Sequence, residues 1–308
     1  MLPRVAWAGL VFAVGTIGAV YPDPGTFGPL PFSYDLYTFR GEGGTTTVVA
    51  SFAVPVRELN RESVDGEARY RFDVTFMLTD TVLHAVNRSD DSVFVGSPSS
   101  LDGDHLLHTW VELEAEPSRS THQRVIMTDA STPGVGQMYQ SPYPIPDYSG
   151  TELMLSDVAL GLPDRAHGWK RGAAALALLP TSQFPESAFD LYYEIYNLPA
   201  DHEYSTEISV ASLDGPDAGP EPQTPVVRTI FSGRSGAGPD GTVSELRRVT
   251  SALESGAYRL TVTVRDDETG ATATTVRRFH VRGWRAGTTL VPALPRRTPA
   301  RVDGQVVP

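Results

Sequence analysis

The segment Tyr70–Thr79 (YRFDVTFMLT) decides the fold class, because its side chains alternate between large apolar and mostly polar residues. The apolar set consists of Tyr70, Phe72, Val74, Phe76 and Leu78. The other set consists of Arg71, Asp73, Thr75, Met77 and Thr79. Successive side chains of a β-strand point to opposite faces of the sheet. The segment therefore predicts a strand with one buried and one solvated face, as in antiparallel sheets.

The same alternation recurs on both sides of this segment. In the first half it appears in Thr47–Val54, Val93–Val95, Leu106–Ala115 and Val125–Thr128, and in the second half in strands that start at Phe189, Tyr204 and Tyr258. In Thr47–Val54 the larger apolar face holds Val48, Ala50, Phe52 and Val54, and the opposite face is smaller or more polar. In Leu106–Ala115 the predicted inward residues are Leu107, Thr109, Val111 and Leu113. These strands predict an all-β chain.

Turn and helix signals are unevenly distributed. The run Asp266–Gly270 separates two alternating strands and ends in glycine, which predicts a hairpin with Gly270 at its tight position. Helical spacing is confined to Ser244–Leu253 and to Gly172–Leu179, and the second segment fits a buried strand equally well. Helices are therefore expected to contribute little.

Two runs of short strands predict two tandem antiparallel β-sandwich domains of immunoglobulin-like or fibronectin-like form, with a single large barrel as the alternative. The first domain is expected at residues 30–162, including the Pro/Tyr-rich segment 139–150, and the second at residues 172–283. The joint is expected near Leu162–Arg171. The tail, residues 284–308, has scattered prolines and no sustained alternation, and is expected to be mobile.

The first 20 residues have the pattern of an export signal. A short start with one positive charge at Arg4 precedes the uncharged run Val5–Val20, which is too short for a typical membrane span. This order is typical of a secretory signal peptide. It predicts a secreted, periplasmic or envelope-associated protein that meets the membrane only through an uncleaved N-terminal segment. The alternatives are a membrane anchor, or the interior of a longer protein whose functional domain lies upstream.

Composition excludes several classes of function. The 308 residues include 25 Lys and Arg against 37 Asp and Glu, a net charge of −12, so the broad cationic surface of a nucleic-acid-binding protein is not expected. The chain has no cysteine, which excludes disulfides, thiolate metal sites and a cysteine nucleophile.

The motifs that suggest metal, cofactor or nucleophile chemistry are incomplete. Asp102, Asp104 and His105 are candidate metal ligands in a loop, but a solvated turn before a strand is the favoured interpretation. Gly236–Gly241 matches the spacing G-x-G-x-x-G, yet Pro239 removes a backbone donor and no βαβ unit surrounds it. In Ser232–Ala237 an alanine stands where a nucleophile elbow requires glycine. No catalytic residue and no cofactor are therefore predicted.

Candidate interaction residues lie among prolines. Tyr139, Tyr143 and Tyr148 occur in an extended proline-rich segment, where exposed rings would stack on a sugar or fill a partner's pocket. The alternative is a stiff spacer whose tyrosines pack on the end of a sandwich. Loops are the usual binding elements of such folds, and three are candidates: Ser97–His105, Gly215–Thr224 and Ser232–Gly241.

Short segments resemble the β-rich portion of bacterial GWxTD domain-containing proteins. They are Leu30-Pro31-Phe32, Tyr37–Gly41, Ser51–Pro55, Pro146–Gly150 with Leu153–Val158, and Ser255–Leu260. The Gly-Trp-x-Thr-Asp motif is absent, because Gly168-Trp169 continues into Lys170-Arg171 and Gly283-Trp284 into Arg285-Ala286. The resemblance implies an exported bacterial β-protein and transfers no catalytic residue.

These observations favour an exported, non-enzymatic interaction or scaffold protein of the bacterial cell envelope, with an unknown protein or envelope component as its partner. The rival is a hydrolase, or a carbohydrate-binding accessory module, that uses exposed aromatic rings and carboxylates. The rival requires these groups to converge in a concave site.

Overall fold

The computed structural model describes residues 30–79, 85–97, 101, 105–132, 136–163, 168–178, 180, 188–214, 225–236, 241–250, 253–281, 290–292 and 294–295. Within these ranges the chain is all-β and contains no α-helix. The strands before residue 150 are β1 (Ser33–Arg40), β2 (Thr46–Pro55), β3 (Glu62–Val64), β4 (Glu67–Thr79), β5 (Ala85–Ser97), β6 (Leu106–Ala115), β7 (His122–Asp129) and β8 (Gly136–Pro142). The later strands are β9 (Met154–Leu155), β10 (Ala159–Pro163), β11 (Trp169–Arg171), β12 (Ala174–Leu178), β13 (Ala188–Tyr196), β14 (Glu203–Ser212), β15 (Val227–Arg234), β16 (Val243–Thr250), β17 (Gly256–Asp266), β18 (Thr272–Val281), β19 (Leu290–Pro292) and β20 (Leu294–Pro295).

The strands form four sheets. Sheet I has the order β1-β2-β6-β19, and sheet II has the order β20-β5-β4-β7-β8 with β3 beside β4. Sheet III has the order β11-β12-β10-β13-β16 with β9 beside β13, and sheet IV has the order β15-β14-β17-β18. The strand pairs in the described residues are antiparallel except for β19 with β6, which is parallel. The antiparallel sheets expected from the alternating sequence are confirmed.

Sheets I and II enclose the first buried cluster, and sheet II uses the face predicted from Tyr70–Thr79. The inward side chains of β4 are Tyr70, Phe72, Val74, Phe76 and Leu78, and all are buried. They meet the predicted faces of β2 and β6, including Phe52 and Leu107. Large apolar side chains at every second position, in strands of both sheets, make this arrangement β-sandwich-like.

Sheets III and IV enclose a second buried cluster in the same way. Its central residues come from β13, β14 and β17: Phe189, Leu191, Tyr193, Ile195, Ile208, Val210, Leu260, Val262 and Val264. The expected hairpin of β17 and β18 is confirmed, with register Arg265↔Thr272 across the turn. Gly270 has φ +75°, the left-handed conformation that glycine adopts without steric cost.

The strands β2 and β13 differ from the expected half-wet pattern, because both faces are covered. Thr47, Val49, Ser51 and Ala53 on the second face of β2 are as buried as the first face. On β13, Asp190, Tyr192, Glu194 and Tyr196 are likewise buried. The cause is that the outer face of sheet I packs on the outer face of sheet III, and the described sheets therefore stack in the order II, I, III, IV.

The pairing bears on three further parts of the chain. Ser244–Leu253 does not form a helix, because β16 in this segment pairs with β13, and Gly172–Leu179 contains strand β12. The expected boundary at residues 162–172 falls inside sheet III, since β9 and β10 already pair with β13. In the tail expected to be mobile, β19 and β20 pair with β6 and β5.

Candidate functional site

The most distinctive site is the junction between sheets I and III. Its third buried cluster draws on both sheets: Tyr37, Phe39, Val49, Ala159, Trp169, Ala174, Leu176, Leu178 and Tyr192. The Phe39 ring stacks on Trp169 with centroids 5.2 Å apart, and the Trp169 ring meets Tyr192 edge-on at 5.6 Å. Trp169 is fully buried, and its indole N–H donates to the Glu112 carboxylate at 3.1 Å. Aromatic pairs of this geometry add to the free energy of simple burial.

A carboxylate from β13 lies at the polar centre of this junction. Glu194 Oε1 accepts from Arg171 Nε at 2.7 Å and from the Tyr192 hydroxyl at 2.6 Å. Its Oε2 accepts from Arg171 Nη2 at 3.0 Å and from the Tyr196 hydroxyl at 2.7 Å. Tyr192, Glu194 and Tyr196 can converge because residues at every second position of a strand share one face. Each carboxylate oxygen has two donors, so the buried charge is paired and hydrogen-bonded as burial requires.

The Glu194 group continues across the junction into sheet I. Arg171 Nη2 also donates to the Arg40 carbonyl at 2.7 Å, and the Arg40 amide donates to the Tyr196 hydroxyl at 2.8 Å. The Arg40 guanidinium lies 4.3 Å from the centre of the Tyr196 ring and donates to Asn197 Oδ1 at 2.9 Å. Burial opposes the charged form of Arg171, but the Glu194 carboxylate holds the pKa of that guanidinium above its usual value. These bonds fasten β1 to β13.

A second polar group ties sheet IV to sheet I. Arg277, on the inward face of β18, forms an ion pair with Asp35 of β1 and donates to the Leu36 carbonyl at 3.1 Å. Its guanidinium lies 4.1 Å from the centre of the Tyr37 ring. Burial raises the pKa of the Tyr37 hydroxyl, so the ring stays neutral under this cation. One arginine therefore links sheet IV directly to sheet I.

Asp157 fixes the segment between β9 and β10 of sheet III to β1. Its Oδ2 accepts from the Thr38 amide at 3.0 Å and from the Thr38 hydroxyl at 2.8 Å, while its own amide donates to the Thr38 carbonyl at 3.1 Å. Burial raises the pKa of the Asp157 carboxyl group. Thr38 thus forms hydrogen bonds with both the backbone and the side chain of Asp157 across the junction.

The three candidate tyrosines do not form an exposed aromatic surface. Tyr143 and Tyr148 are 5% and 7% exposed, and the Tyr148 hydroxyl lies 2.8 Å from Thr38 Oγ1 while its ring meets Tyr196 at 5.2 Å. Tyr139 is half-buried, with its ring 5.5 Å from that of Tyr34. Burial raises the pKa of all three hydroxyls. These contacts agree with the alternative given above, a stiff spacer whose tyrosines pack against a sandwich.

The predicted metal ligands are only partly covered by the structure. Asp102 and Asp104 lie outside the described residues, as do residues 98–100 and 103 of the same loop, residues 215–224, and residues 237–240 of the third candidate loop. His105 precedes β6, and its carbonyl accepts from the Val56 amide at 2.9 Å. No group of three or more His, Asp or Glu side chains in the described ranges is arranged to hold a metal ion.

Sequence reasoning missed the residues that make the junction. Arg171, Glu194 and Arg277 belong to no motif, and their partners are distant along the chain. One signal was present, because β13 (AFDLYYEIY) sets two acidic residues among large aromatic residues. Such a strand is too apolar for a wet face, which indicates burial on both sides. The described charged and aromatic side chains of the junction are bonded to one another. Their role in the structure is to hold sheets I, III and IV together.

Comparisons with known proteins yield weak similarities. No family model matches the chain, and no curated protein matches it. Among solved structures, a β-glucuronidase of Bacteroides uniformis is similar at TM-score 0.29 and 9% identity, over 76% of this chain and 26% of that one. A transglutaminase of red sea bream is similar at TM-score 0.20 and 14% identity, over 81% of this chain and 31% of that one. The chain thus spans about a quarter to a third of these proteins, and similarities this weak carry no argument about activity. No described helix has the length and apolarity needed to cross a bilayer.

Proposed function

We propose that this chain is an exported, non-enzymatic protein of the bacterial cell envelope, in which two tandem immunoglobulin-like or fibronectin-like β-sandwiches form a rigid interaction scaffold. The first sandwich comprises sheets I and II, and the second comprises sheets III and IV. The export part of this proposal is supported by the positive start and uncharged run of residues 1–20, which lie outside the described residues.

The junction is the observation that carries the proposal. Neighbouring domains of one chain move relative to one another unless their interface is large and hydrophobic. Here the interface has an aromatic centre around Trp169 and a paired charge at Glu194, whose hydrogen bonds fix the lateral position of β1 against β13. A scaffold needs this property, because its binding surfaces must keep a constant separation.

Distance measurements between the two halves test the proposal. The chain has no cysteine, so spin labels can be placed through Arg57→Cys in the first half and Ser232→Cys in the second, both at exposed sites. Double electron–electron resonance should give one narrow distance distribution for this pair. Adding Trp169→Ala should broaden it, whereas adding Met138→Ala, at an exposed side chain remote from the junction, should not. A broad distribution in the parent protein would contradict the rigid scaffold.

A further inference from the structure

The outer face of sheet IV is basic and rich in hydroxyl groups, although the chain as a whole carries a net charge of −12. Because Tyr204, Leu260 and Phe279 point into the core, the alternate residues of β14, β15, β17 and β18 point outward. The outward charged residues of these four strands are five arginines and two glutamates: Arg228, Arg234, Arg259, Arg265, Arg278, Glu203 and Glu207. The outward hydroxyl residues are Ser205, Ser209, Ser232, Thr261, Thr263, Thr272 and Thr274.

Two of the five arginines are neutralised within the sheet. Arg228 binds Glu207 through two parallel bonds, Nε to Oε1 at 2.7 Å and Nη2 to Oε2 at 2.9 Å. Arg234 pairs with Glu203, directly opposite it in the ladder. These pairs occupy both glutamates of the face and leave three arginines.

Arg259 and Arg278 are placed where they repel each other. They stand directly opposite in the β17–β18 ladder, and neither forms an ion pair with any carboxylate of the described residues. The nearby Asp214 instead accepts the Ala257 amide. Like charges at directly opposed positions destabilise a sheet. Arg278 is exposed and Arg259 is partly exposed, so an external anion can reach both guanidinium groups and relieve their repulsion.

The rest of the face indicates the form of the anion. Arg265 lies six residues beyond Arg259 on β17, a separation of about 20 Å at the usual rise of a strand. Between them Thr261 and Thr263 point outward, and Thr263 Oγ1 lies 3.1 Å from Thr274 Oγ1 on β18. These residues form a row of outward hydroxyl groups with arginines at both ends. Small ligands favour concave pockets, whereas a row of this length suits an extended polymer.

We propose that the outer face of sheet IV binds an acidic polysaccharide laid along β17, with Arg259 and Arg278 gripping one carboxylate or sulfate and Arg265 a second. Guanidinium groups bind such anions through paired hydrogen bonds, and the threonine row can exchange hydrogen bonds with sugar hydroxyls. Apart from the His280 imidazole, the outward residues of these strands carry no aromatic ring, and no Phe, Tyr or Trp is present on which nucleic-acid bases would stack. This favours a glycan over a nucleic acid. The proposal deepens the interaction scaffold by naming its partner's chemistry, and it can fail while the rigid junction stands.

Titration of the full chain with polyglucuronic acid at low ionic strength tests this inference, with neutral dextran and phosphatidylglycerol vesicles as comparison probes. Polyglucuronic acid should bind, more weakly as salt rises, and dextran and the vesicles should not. Arg259→Gln and Arg278→Gln should each weaken binding about tenfold. Arg124→Gln is the matched control: it removes the same charge from the outer face of sheet II, where Arg124 bonds to neutral Gln140, and should leave binding unchanged.

Stability separates a binding role from a structural role. Since Arg278→Gln relieves a repulsion, it should raise the urea midpoint of unfolding while it weakens binding. The inference is overturned if polyglucuronic acid does not bind, if Arg124→Gln weakens binding as much as Arg278→Gln, if dextran binds equally well, or if the vesicles are the preferred probe. A fall in the urea midpoint of Arg278→Gln would also overturn it, because the arginine would then be a structural group.

Discussion

Arg171 Nε and Glu194 Oε1 lie 2.7 Å apart at the junction, with side chains 22% and 6% exposed. Arg171 ends the edge strand β11, and Glu194 lies on the central strand β13, so the pair spans sheet III before it reaches Arg40 of sheet I. A pair in this setting is costly to break, because removing one partner leaves the other charge buried. Removing the Arg171 side chain therefore measures how much the stability of the junction depends on this ion pair.

Arg171→Ala should lower the free energy of unfolding by about 3 kcal/mol, because Glu194 would remain buried with only its tyrosine hydroxyl donors. Arg171→Lys should recover part of the loss, since a lysine restores the charge without the paired geometry. Urea unfolding measures both changes.

The exposed pair of Arg228 and Glu207 provides the control for this experiment. Arg228→Ala removes an equally short ion pair at the surface, where solvent screens the charges, and should cost much less than Arg171→Ala. Equal losses for Arg171→Ala and Arg228→Ala would show that the junction pair contributes no more than a surface pair.

Phe39→Ala should lower the free energy of unfolding by about 3 to 4 kcal/mol, because it opens a cavity against Trp169 and Tyr192. Met138→Ala, at a side chain that is 59% exposed, should change it by less than about 0.5 kcal/mol. Thermal or urea unfolding of the two variants makes the comparison. A small effect of Phe39→Ala would mean that sheets I and III are not packed as described.

Asp266 should make the protein sensitive to acid. Although burial acts in the opposite direction, hydrogen bonds from Thr269, from His202 and from the Glu268 and Thr269 amides lower the pKa of this carboxyl to about 2. Its unfolded pKa is about 3.9, so its contribution of about 2 kcal/mol is present above pH 4 and is lost as the pH falls towards 2. Urea midpoints across this range should fall more steeply in the parent protein than in Asp266→Asn, and parallel curves would contradict the assignment.

Asp157 should affect the pH dependence of stability in the opposite direction to Asp266. Burial raises the pKa of its carboxyl, so the folded state favours the protonated form, and stability falls as the pH rises from the unfolded pKa through the folded one. Asp157→Asn imitates the protonated form and keeps an oxygen for the Thr38 donors. Its stability relative to the parent should therefore increase between pH 3 and pH 7. A relative stability that decreases over this range would show that the ionised carboxylate is the favoured form.

The sequence predicts those elements whose burial follows from the pattern of neighbouring residues in the chain. Alternation placed the β4 side chains from Tyr70 to Leu78 in the core, and the glycine at position 270 marked the hairpin. The second face of β2 could not be read in the same way. Val49 and Ser51 are buried by sheet III, which comes more than 100 residues later in the chain.

The junction was beyond sequence reasoning for the same reason. The aromatic neighbours of Glu194 indicate its burial, but no sequence feature identifies Arg171 as its partner. Arg277 looks like an ordinary solvated position, and only the packing of sheets IV and I brings it to Asp35. The short strands β9 and β10 offer too few positions for a visible alternation, so the start of sheet III was expected too late. The prolines predict an extended segment around Tyr143 and Tyr148, but they do not predict the burial of those rings, which depends on distant partners such as Thr38.

Differential scanning calorimetry of the full chain tests most directly whether the junction joins the four sheets into one body. If sheets I and III share a buried interface, the two halves should unfold in a single transition whose calorimetric and van't Hoff enthalpies agree. Two resolved transitions in the parent protein, each with the enthalpy of half the chain, would contradict the account.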